Sequence, residues 1–455
     1  MIPFSLTEVA TAVGGELTGT DATVTGSVTV DSRTAGPGDL YVALPGERVD
    51  GHDFLAAAAA AGAVGALSTR PDDAGTPVVV VADPVVALGR LAHAVHERLT
   101  GLTTVGITGS SGKTSTKDLL GQVLGTVGAT VSPPGSFNND IGLPLTVLAA
   151  DADTRFLVLE MGARGVGHVA RLCAVARPDV GVVLNVGSAH LGEFGSADVI
   201  ATAKGELAEA AASVAVLNAD DPRVRAMADR ATARVLLIGT ADDADVRATD
   251  VELDGAARAS FTLHAAGETH PVRLRVVGAH QVANALSAAG AALAAGLTPA
   301  QVATGLSGAT AQSRWRMEVT ERPDGVTVVN DAYNANPESM RAALAALTGM
   351  TGTRRVAVLG AMGELGPGAD AAHARLGADA AAVVDLLVAV GPDAAGITAG
   401  ARALREESVH VPDRAAARQL LAGVLRPGDV VLVKASRSYG LEQLATDLLT
   451  DGAPS

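Results

Sequence analysis

The stretch 106-GITGSSGKT-114 decides how the middle of this chain folds. It follows a strand-like run at 104–107 and precedes a helical stretch at 115–124, which is the strand–loop–helix setting of a phosphate-binding loop. Glycines let backbone N–H groups converge on phosphate oxygens, and the helix N-terminus adds favourable partial charge. Lys113 would neutralise the β- and γ-phosphates of ATP, and the Thr114 hydroxyl would ligate Mg²⁺. The loop residues predicted to bind ATP are Gly109, Ser110, Ser111, Gly112, Lys113, Thr114 and Ser115. The alternative is a glycine-rich turn that happens to contain a lysine.

Strand-like runs alternate with helical stretches along the chain and predict an α/β fold of three domains. Residues 1–100 carry short runs broken by Gly and Pro, which predicts a small α/β domain. Continuous apolar runs within 101–312 predict a central ATP-binding domain with a mainly parallel sheet. Residues 313–455 repeat the pattern and predict a Rossmann-like domain. The predicted strands are 28–30, 40–44, 78–81, 104–107, 156–159, 180–184, 214–217, 326–329, 355–359, 386–390 and 430–433.

Composition excludes several classes of function. The chain has 455 residues and a formal net charge of -15, and only 2% of its residues are aromatic, so we expect no nucleic-acid partner. The only cysteine, Cys173, rules out an intrachain disulfide, and its apolar neighbours predict an inert buried thiol. The first residues lack the basic and apolar regions of a signal peptide, and the uncharged stretch 54–67 is shorter than the roughly 20 residues of a membrane helix. We therefore expect a cytoplasmic protein without a membrane span.

Two further segments follow predicted strands of the central region. Glu160 ends the first strand after the phosphate loop. A carboxylate in this position could be a solvated cap at the strand end, but beside a phosphate loop we favour its interpretation as an Mg²⁺ ligand. The loop 185-NVGSAHLGEFGS-196 follows the next strand and contains His190, and the helix after it carries Lys204. A lone His or Lys is usually structural, but these two follow the strand next to Glu160 and therefore become candidate site residues.

These segments, in this order, resemble the Mur ligase family, and 278-GAHQVANA-285 and 313-SRWRME-318 extend the resemblance over nearly the whole chain. It implies an ATP-dependent amide ligase with a UDP-substrate domain, a central ATPase and a Rossmann-like C-terminal domain. Two Mg²⁺ ions are implied, with Glu160 as a ligand of one, His190 of the second, and Lys204 as a carbamate. The resemblance also implies adenine-side contacts from His280 and Asn284, and a nucleotide contact from Arg316.

The segment 330-NDAYNANPESM-340 resembles the family members that add D-alanyl-D-alanine. The resemblance implies that Asp331 contacts the ribose and that Tyr333, Asn334 and Asn336 line the dipeptide cleft. The alternative is an Asx-rich turn before a helix. Other matching segments imply a UDP-substrate site of Asp31, Ser32, Arg33, Asp50, His52, Asn138 and Asn139. Residues implied to approach the peptide carboxylates are Lys434, Ser436 and Arg437.

The implied reaction joins D-Ala-D-Ala to UDP-N-acetylmuramoyl-tripeptide through an acyl phosphate, giving the pentapeptide precursor of peptidoglycan. The partners are then small molecules, and we expect a monomer whose domains close to protect the acyl phosphate from water. One alternative is another Mur-type ligase, either a diamino-acid-adding enzyme or a folylpolyglutamate synthase. Another is a regulator that hydrolyses ATP without ligation.

Overall fold

The protein is described by a computed structural model that covers residues 1–46, 49–72, 75–187, 191–405 and 408–450. Its larger sheets occupy three successive stretches of the chain, and helices pack against them. The α/β class predicted from the alternating sequence pattern is confirmed.

The N-terminal region is a small sheet flanked by helices. Its elements are β1 (Phe4–Ser5), α1 (Leu6–Val13), β2 (Glu16–Thr18), β3 (Thr23–Val24), β4 (Val28–Thr29), β5 (Leu40–Val42), α2 (Leu55–Ala60), β6 (Gly65–Ser68), β7 (Val78–Val80) and α3 (Pro84–Arg98). The sheet has the order β2-β7-β6-β5-β4, and all its neighbours are parallel except β2 and β7. Asp83 caps α3 by accepting hydrogen bonds from the backbone N–H groups of Val85 and Val86, and Pro84 fits the first helical position.

The central region is built around a long sheet. Its elements are β8 (Thr103–Thr108), α4 (Lys113–Gly125), β9 (Thr130–Val131), α5 (Gly142–Leu148), β10 (Phe156–Glu160), α6 (His168–Val175), β11 (Val180–Val183), α7 (Leu191–Phe194), α8 (Ala197–Ala210), β12 (Val214–Asn218), α9 (Pro222–Arg225), β13 (Arg234–Gly239), β14 (Val246–Leu253), β15 (Arg258–Ala265), β16 (Glu268–Val277), α10 (Gln281–Ala294) and α11 (Pro299–Gly308). The order is β16-β15-β14-β13-β12-β11-β8-β10-β9. Separate apolar cores cover its two faces, as continuous apolar strands require.

This strand order determines where the central loops meet. β8 lies between β10 and β11 and pairs parallel with both. Because parallel strands end at the same edge, the loop after β8, Glu160 at the end of β10 and the loop after β11 lie together. The sheet beyond β14 is antiparallel, which the sequence reading did not predict. The sequence of β15, RASFTLHA, alternates polar and apolar residues, and this alternation is the pattern of a strand with one buried face.

The C-terminal region forms another sheet with helices on both faces. Its elements are β17 (Glu318–Glu321), β18 (Thr327–Asn330), α12 (Pro337–Gly349), β19 (Arg354–Gly360), α13 (Ala369–Ala381), β20 (Leu386–Val390), α14 (Ala395–Ala401), β21 (Val409–Val411), α15 (Arg414–Val424), β22 (Asp429–Lys434) and α16 (Leu441–Thr450). The order is β17-β18-β22-β19-β20-β21, parallel except at the β17 edge. The ends of β18 and β22 therefore bring Asp331 and Lys434 together. Among the described residues, no helix combines the length and the apolar character needed to cross a bilayer.

Candidate functional site

The loop after β8 has the geometry of a phosphate cradle. Gly112 caps α4 with φ +83°, a conformation that L side chains rarely adopt, and a Cβ there would collide with the side chain of Asn284. Asn185, from the loop after β11, shapes the cradle: its Oδ1 accepts from the backbone N–H groups of Ser110 and Ser111, both at 3.0 Å. The loop thus leads straight into a helix N-terminus, where an anion is favoured.

Lys113 begins α4 and extends back across the loop. Its Nζ donates to the carbonyl oxygen of Gly109 at 2.8 Å. Burial lowers the pKa of Lys113, while the charge of Glu160 opposes that shift. A phosphate bound at the loop would add a second negative charge beside this ammonium and so favour its charged form.

A hydrogen-bond network converges on the Thr114 hydroxyl. Thr114 donates to Oε2 of the buried Glu160 at 3.0 Å, and its Oγ1 lies 2.7 Å from the Ser136 hydroxyl. Nη2 of Arg316 donates to both hydroxyls at 3.1 Å, and Nδ2 of Asn138 donates to Oε1 of Glu160 at 2.8 Å. The network therefore joins the phosphate loop, the loop before α5 and the segment that enters the C-terminal region.

Lys204 lies on α8 and is only 4% exposed. Burial, and then the charge of Lys113, lower the pKa of Lys204 well below its ordinary value. His190, the other predicted ligand in this part of the site, lies outside the described residues. In the described part of the chain, no three His, Cys, Asp or Glu side chains form a cluster that could hold a metal ion. Lys204, Glu160 and Thr114 all line the cleft described below.

Arg316 is held at the junction by strained backbone and by stacking. Trp315 and Met317, on either side of it, have φ values of +59° and +50°, which are rare for such residues. Its guanidinium lies 4.1 Å from the centre of the Tyr333 ring, a cation–π distance. Nε of Arg316 is buried and has no hydrogen-bond partner within the described residues.

Asp331 and Lys434 form a buried ion pair beside Arg316. Nζ of Lys434 donates to Oδ2 of Asp331 at 2.6 Å and to the carbonyl oxygen of Asn334 at 2.8 Å. Oδ1 of Asp331 accepts from the backbone N–H of Met317 at 3.1 Å. The pair therefore orients the start of the segment 331–336.

His280 and Asn284 lie at the start of α10, across from the phosphate loop. Asn284 donates to Oε1 of Gln281 at 2.9 Å. Nδ1 of His280 is buried and lacks a hydrogen-bond partner in the part of the chain that the structure describes. Burial, with the charge of Lys434, lowers the pKa of His280, while Asp331 opposes the shift. A neutral imidazole whose ring nitrogen has no partner could form a hydrogen bond with a nucleotide base.

One cleft of about 380 Å³ brings most of the predicted residues together. Besides the phosphate-loop residues 109–115, it is lined by Asn138, Asn139, Glu160, Lys204, His280, Asn284, Arg316, Asp331, Tyr333, Asn334, Asn336 and Lys434. Asn138 and Asn139, predicted with the UDP-substrate residues, thus face the same cleft as the phosphate loop.

Two C-terminal candidates are not among the residues that line this cleft. Ser436 Oγ accepts from the backbone N–H of Gly363 at 2.8 Å. Arg437 stacks on the Trp315 ring at 4.1 Å and pairs with Glu442 at 2.6 Å. Both lie just after Lys434, which does line the cleft.

The remaining candidates lie in the N-terminal region. Asp31, Ser32 and Arg33 line a separate pocket of about 710 Å³, together with apolar side chains that include Phe54. Hydrogen bonds from Arg33 lower the pKa of Asp31 to about 2. The structure turns the side chain of His52 inward, away from this pocket.

The buried His52 ring instead fastens the loop next to the pocket. Its Nδ1 lies 2.5 Å from Oδ1 of Asp50, and its Nε2 accepts from the backbone N–H of Thr69 at 3.1 Å. Asp50 and His52 therefore hold the pocket wall formed by Val49, Gly51 and Phe54.

The sequence reading missed Ser136 and gave no role to Asn185. Ser136 lies 22 residues after Thr114, so no local spacing indicates their contact. The nearest signal is its position in 135-GSFNN-139, beside the predicted Asn138 and Asn139. The interpretation of Cys173 agrees with the structure, because burial raises the pKa of this thiol to about 12.

Comparison with known proteins supplies independent evidence. Family models match at residues 25–97 (Mur ligase family, catalytic domain), 107–292 (Mur ligase middle domain) and 315–437 (Mur ligase, glutamate ligase domain). The UDP-N-acetylmuramoyl-tripeptide--D-alanyl-D-alanine ligase of Mycobacterium tuberculosis is 47% identical over 99% of this chain and 98% of its own length. A crystal structure of MurF from Acinetobacter baumannii superposes with a TM-score of 0.89 at 33% identity, covering 98% of this chain and 99% of that one. MurF from Thermotoga maritima in complex with ADP gives 0.81 at 31% identity, covering 94% and 97%. The chain belongs to the Mur ligase family.

Proposed function

We propose that this chain ligates D-alanyl-D-alanine to UDP-N-acetylmuramoyl-tripeptide at the expense of ATP and forms the pentapeptide precursor of peptidoglycan. The observation that carries the proposal is that the segment 331–336 lies in the same cleft as the phosphate loop. Arg316 joins the two by stacking on Tyr333 and donating to Thr114. The relatives named for this activity match over the full chain, so the other Mur-type ligases are not favoured.

Two features of the cleft suit ATP: the groups that would bind its negatively charged phosphates, and buried nitrogen atoms of the protein that have no hydrogen-bond partner in the described chain. The amides at the start of α4 and Lys113 would bind the β- and γ-phosphates. Nδ1 of His280 and Nε of Arg316, both buried without a partner in the described chain, would find partners on the nucleotide. Asp331 would accept a hydrogen bond from the ribose. The ADP complex of the Thermotoga relative supports the use of a nucleotide.

The donor atoms beside the phosphate loop suit Mg²⁺, which prefers oxygen ligands. Thr114 and Glu160 would hold one ion, and a cation there would offset the burial of the Glu160 carboxylate. Lys204, as a carbamate, and His190 would hold a second ion. Bound Mg²⁺ supplies charge neutralisation to the phosphoryl oxygens.

Carbamylation of Lys204 requires the neutral amine, because its lone pair forms the N–C bond to CO₂ and a proton is released. The lowered pKa of Lys204 increases the share of that neutral form. The product carries a negative charge beside Lys113, where an ammonium would be repelled.

In the reaction, the terminal carboxylate of the tripeptide attacks the γ-phosphorus, and ADP leaves. Lys113 and Arg316 hold the transferring phosphoryl group and balance its charge. The amine of D-Ala-D-Ala then attacks the acyl phosphate, and phosphate leaves from the tetrahedral intermediate. Closure of the cleft protects the acyl phosphate from water.

The dipeptide would lie against Tyr333 and Asn334, with Arg437 approaching its carboxylate. Asn336 caps α12 by accepting from the backbone N–H of Ser339 at 2.8 Å, so it acts by fixing this helix start. Lys434 and Ser436 act in the same way, since they bind the segment 331–335. These three residues therefore position the residues of the dipeptide site and do not contact the dipeptide themselves.

The UDP moiety would bind in the N-terminal pocket, where Arg33 offers an exposed guanidinium to the diphosphate and Phe54 a partly exposed ring. We further propose domain boundaries at 1–100, 101–312 and 313–455, which separate the larger sheets. Because ATP is an intracellular metabolite, we place the enzyme in the cytoplasm, and we propose that it acts as a monomer.

The test is phosphate release from ATP with UDP-muramoyl-tripeptide, with and without D-Ala-D-Ala, and mass spectrometry of the product. Tripeptides with lysine or diaminopimelate in the third position are run in parallel, and L-Ala-L-Ala is the control acceptor. Dipeptide-dependent release and a UDP-pentapeptide support the proposal. Phosphate release that is independent of the dipeptide, without a pentapeptide, contradicts it.

A further inference from the structure

A buried ion pair lies one turn beyond the phosphate loop and belongs to none of the ligand contacts described above. Lys117 and Asp118, on α4, have side chains that are 1% and 10% exposed, and their charged atoms are 2.5 Å apart. Burying two charges is costly, so a pair that serves packing alone could be replaced by apolar side chains. The contacts of this pair indicate another role.

The lysine fastens the loop that carries Ser136. Nζ of Lys117 donates to the carbonyl oxygen of the buried Pro133 at 2.6 Å. Ser136 follows Pro133 by three residues and contacts the Thr114 hydroxyl. The position of Ser136 therefore depends on this bond between α4 and the loop.

The aspartate fastens the segment that carries Arg316. Oδ2 of Asp118 accepts from the backbone N–H of Ser313 at 3.0 Å, and Lys117 reaches the Ser313 hydroxyl at 3.5 Å. Arg316 follows Ser313 by three residues and donates to both Thr114 and Ser136. One ion pair thus anchors two of the three partners of the Thr114 hydroxyl, Ser136 and Arg316, to the helix that carries Thr114.

We propose that Lys117 and Asp118 are positioning residues for phosphoryl transfer, acting through Ser136 and Arg316. The proposal rests on the ligase function proposed above. It predicts that loss of the pair misplaces the groups around the γ-phosphate while ADP, held by the backbone of the loop, still binds.

The first variant is Lys117→Met, which keeps the length of the side chain and removes its charge and hydrogen bonds. We expect kcat to fall by ~10- to 100-fold, because a displacement of about 1 Å can cost about 10²-fold. The affinity for ADP, measured by calorimetry, should change by less than about threefold, as expected when a contact acts mainly in the transition state.

The double variant Lys117→Met/Asp118→Asn removes both charges and so avoids leaving an unpaired buried aspartate. The amide oxygen introduced by Asp118→Asn can still accept from the backbone N–H of Ser313, so this variant frees the Ser136 loop while the Arg316 segment stays anchored. It should fold where the single variant does not, and it should still show a lowered kcat.

Arg354→Met is the matched control. Arg354 pairs with the buried Asp429 at 2.6 Å, at the starts of β19 and β22 and therefore at the sheet edge opposite the cleft. It should lower the melting temperature and leave kcat within about twofold of the wild type.

Ligation of D-Ala-D-Ala is assayed at a temperature at which melting curves show all variants folded. A lowered kcat with retained ADP binding in both Lys117 variants, but not in Arg354→Met, supports the proposal. A folded Lys117 variant with wild-type kcat overturns it, and so does an equal loss in Arg354→Met. An inactive wild type would instead contradict the ligase function itself.

Discussion

Replacing Arg316 tests the connection between the nucleotide and acceptor parts of the cleft. The half-buried guanidinium makes two charge-assisted hydrogen bonds, to Thr114 and Ser136, and stacks on Tyr333. Bound ATP would take over these bonds through its phosphate oxygens. Hydrogen bonds to charged groups contribute about 1.5–3 kcal/mol each, so losing two costs about 3–6 kcal/mol. Arg316→Ala should therefore lower kcat/KM for ATP by ~10²- to 10⁴-fold.

Three companion variants separate the contributions of charge, geometry and stacking. Arg316→Lys keeps the charge but loses the planar fork, so it should recover only part of the activity. Tyr333→Ala removes the cation–π contact and should cost roughly 3- to 30-fold, whereas Tyr333→Phe keeps the ring and should stay near the wild type.

The assay is steady-state phosphate release with UDP-muramoyl-tripeptide and D-Ala-D-Ala, with circular dichroism to verify folding. If Arg316→Ala retains kcat/KM within about tenfold of the wild type, the guanidinium does not hold the transferring phosphoryl group. The argument would also fail if Arg316→Lys were fully active, because a point charge would then suffice.

Three other predictions follow from single contacts. Arg33→Ala should raise KM for the UDP-tripeptide about tenfold in steady-state kinetics and leave kcat unchanged. The reason is that the exposed guanidinium of Arg33 would bind the ground state and the transition state equally. An unchanged KM would exclude Arg33 from the substrate site. With a pKa of about 12, Cys173 is protonated up to strongly alkaline pH, so iodoacetamide at pH 8 should label it in urea but not in the folded protein, as mass spectrometry can check. Trp315, the only tryptophan, stacks on Arg437, so D-Ala-D-Ala should change its fluorescence in the presence of an ATP analogue, and Arg437→Ala should abolish that change.

Local sequence signals identified the parts of the fold that depend on local physics. The strand at 156–159 and the helix after Lys113 follow directly from apolar runs and a glycine-rich loop, and both lie where expected. The antiparallel strands β15 and β16 were missed because half-buried alternation interrupted by charges gives a weaker signal than a continuous run.

Local sequence signals do not predict contacts between residues that are far apart in the chain. Lys117 and Ser313 are 196 residues apart, and no periodicity indicates that they meet. His52 shows a second limit of sequence-based prediction. A motif can indicate which loop forms a site, but it does not indicate where a given side chain in that loop points. The structure turns this ring toward Thr69, so the prediction of a direct substrate contact becomes one of a supporting role.

The charges of the cleft give a reason for modifying Lys204. The chain is acidic overall, yet Lys113, Lys204 and Arg316 all line this cleft. Burial and then the charge of Lys113 lower the pKa of Lys204, whereas for Lys113 the charge of Glu160 opposes the effects of burial and of Arg316. A triphosphate would compensate Lys113 and Arg316, which are next to the loop. Lys204 would have no phosphate to pair with, so burial and the charge of Lys113 would still disfavour its ammonium form. Conversion to the proposed carbamate would place a negative charge there, which could offer an oxygen ligand to Mg²⁺ and would leave the other two cations to the phosphates.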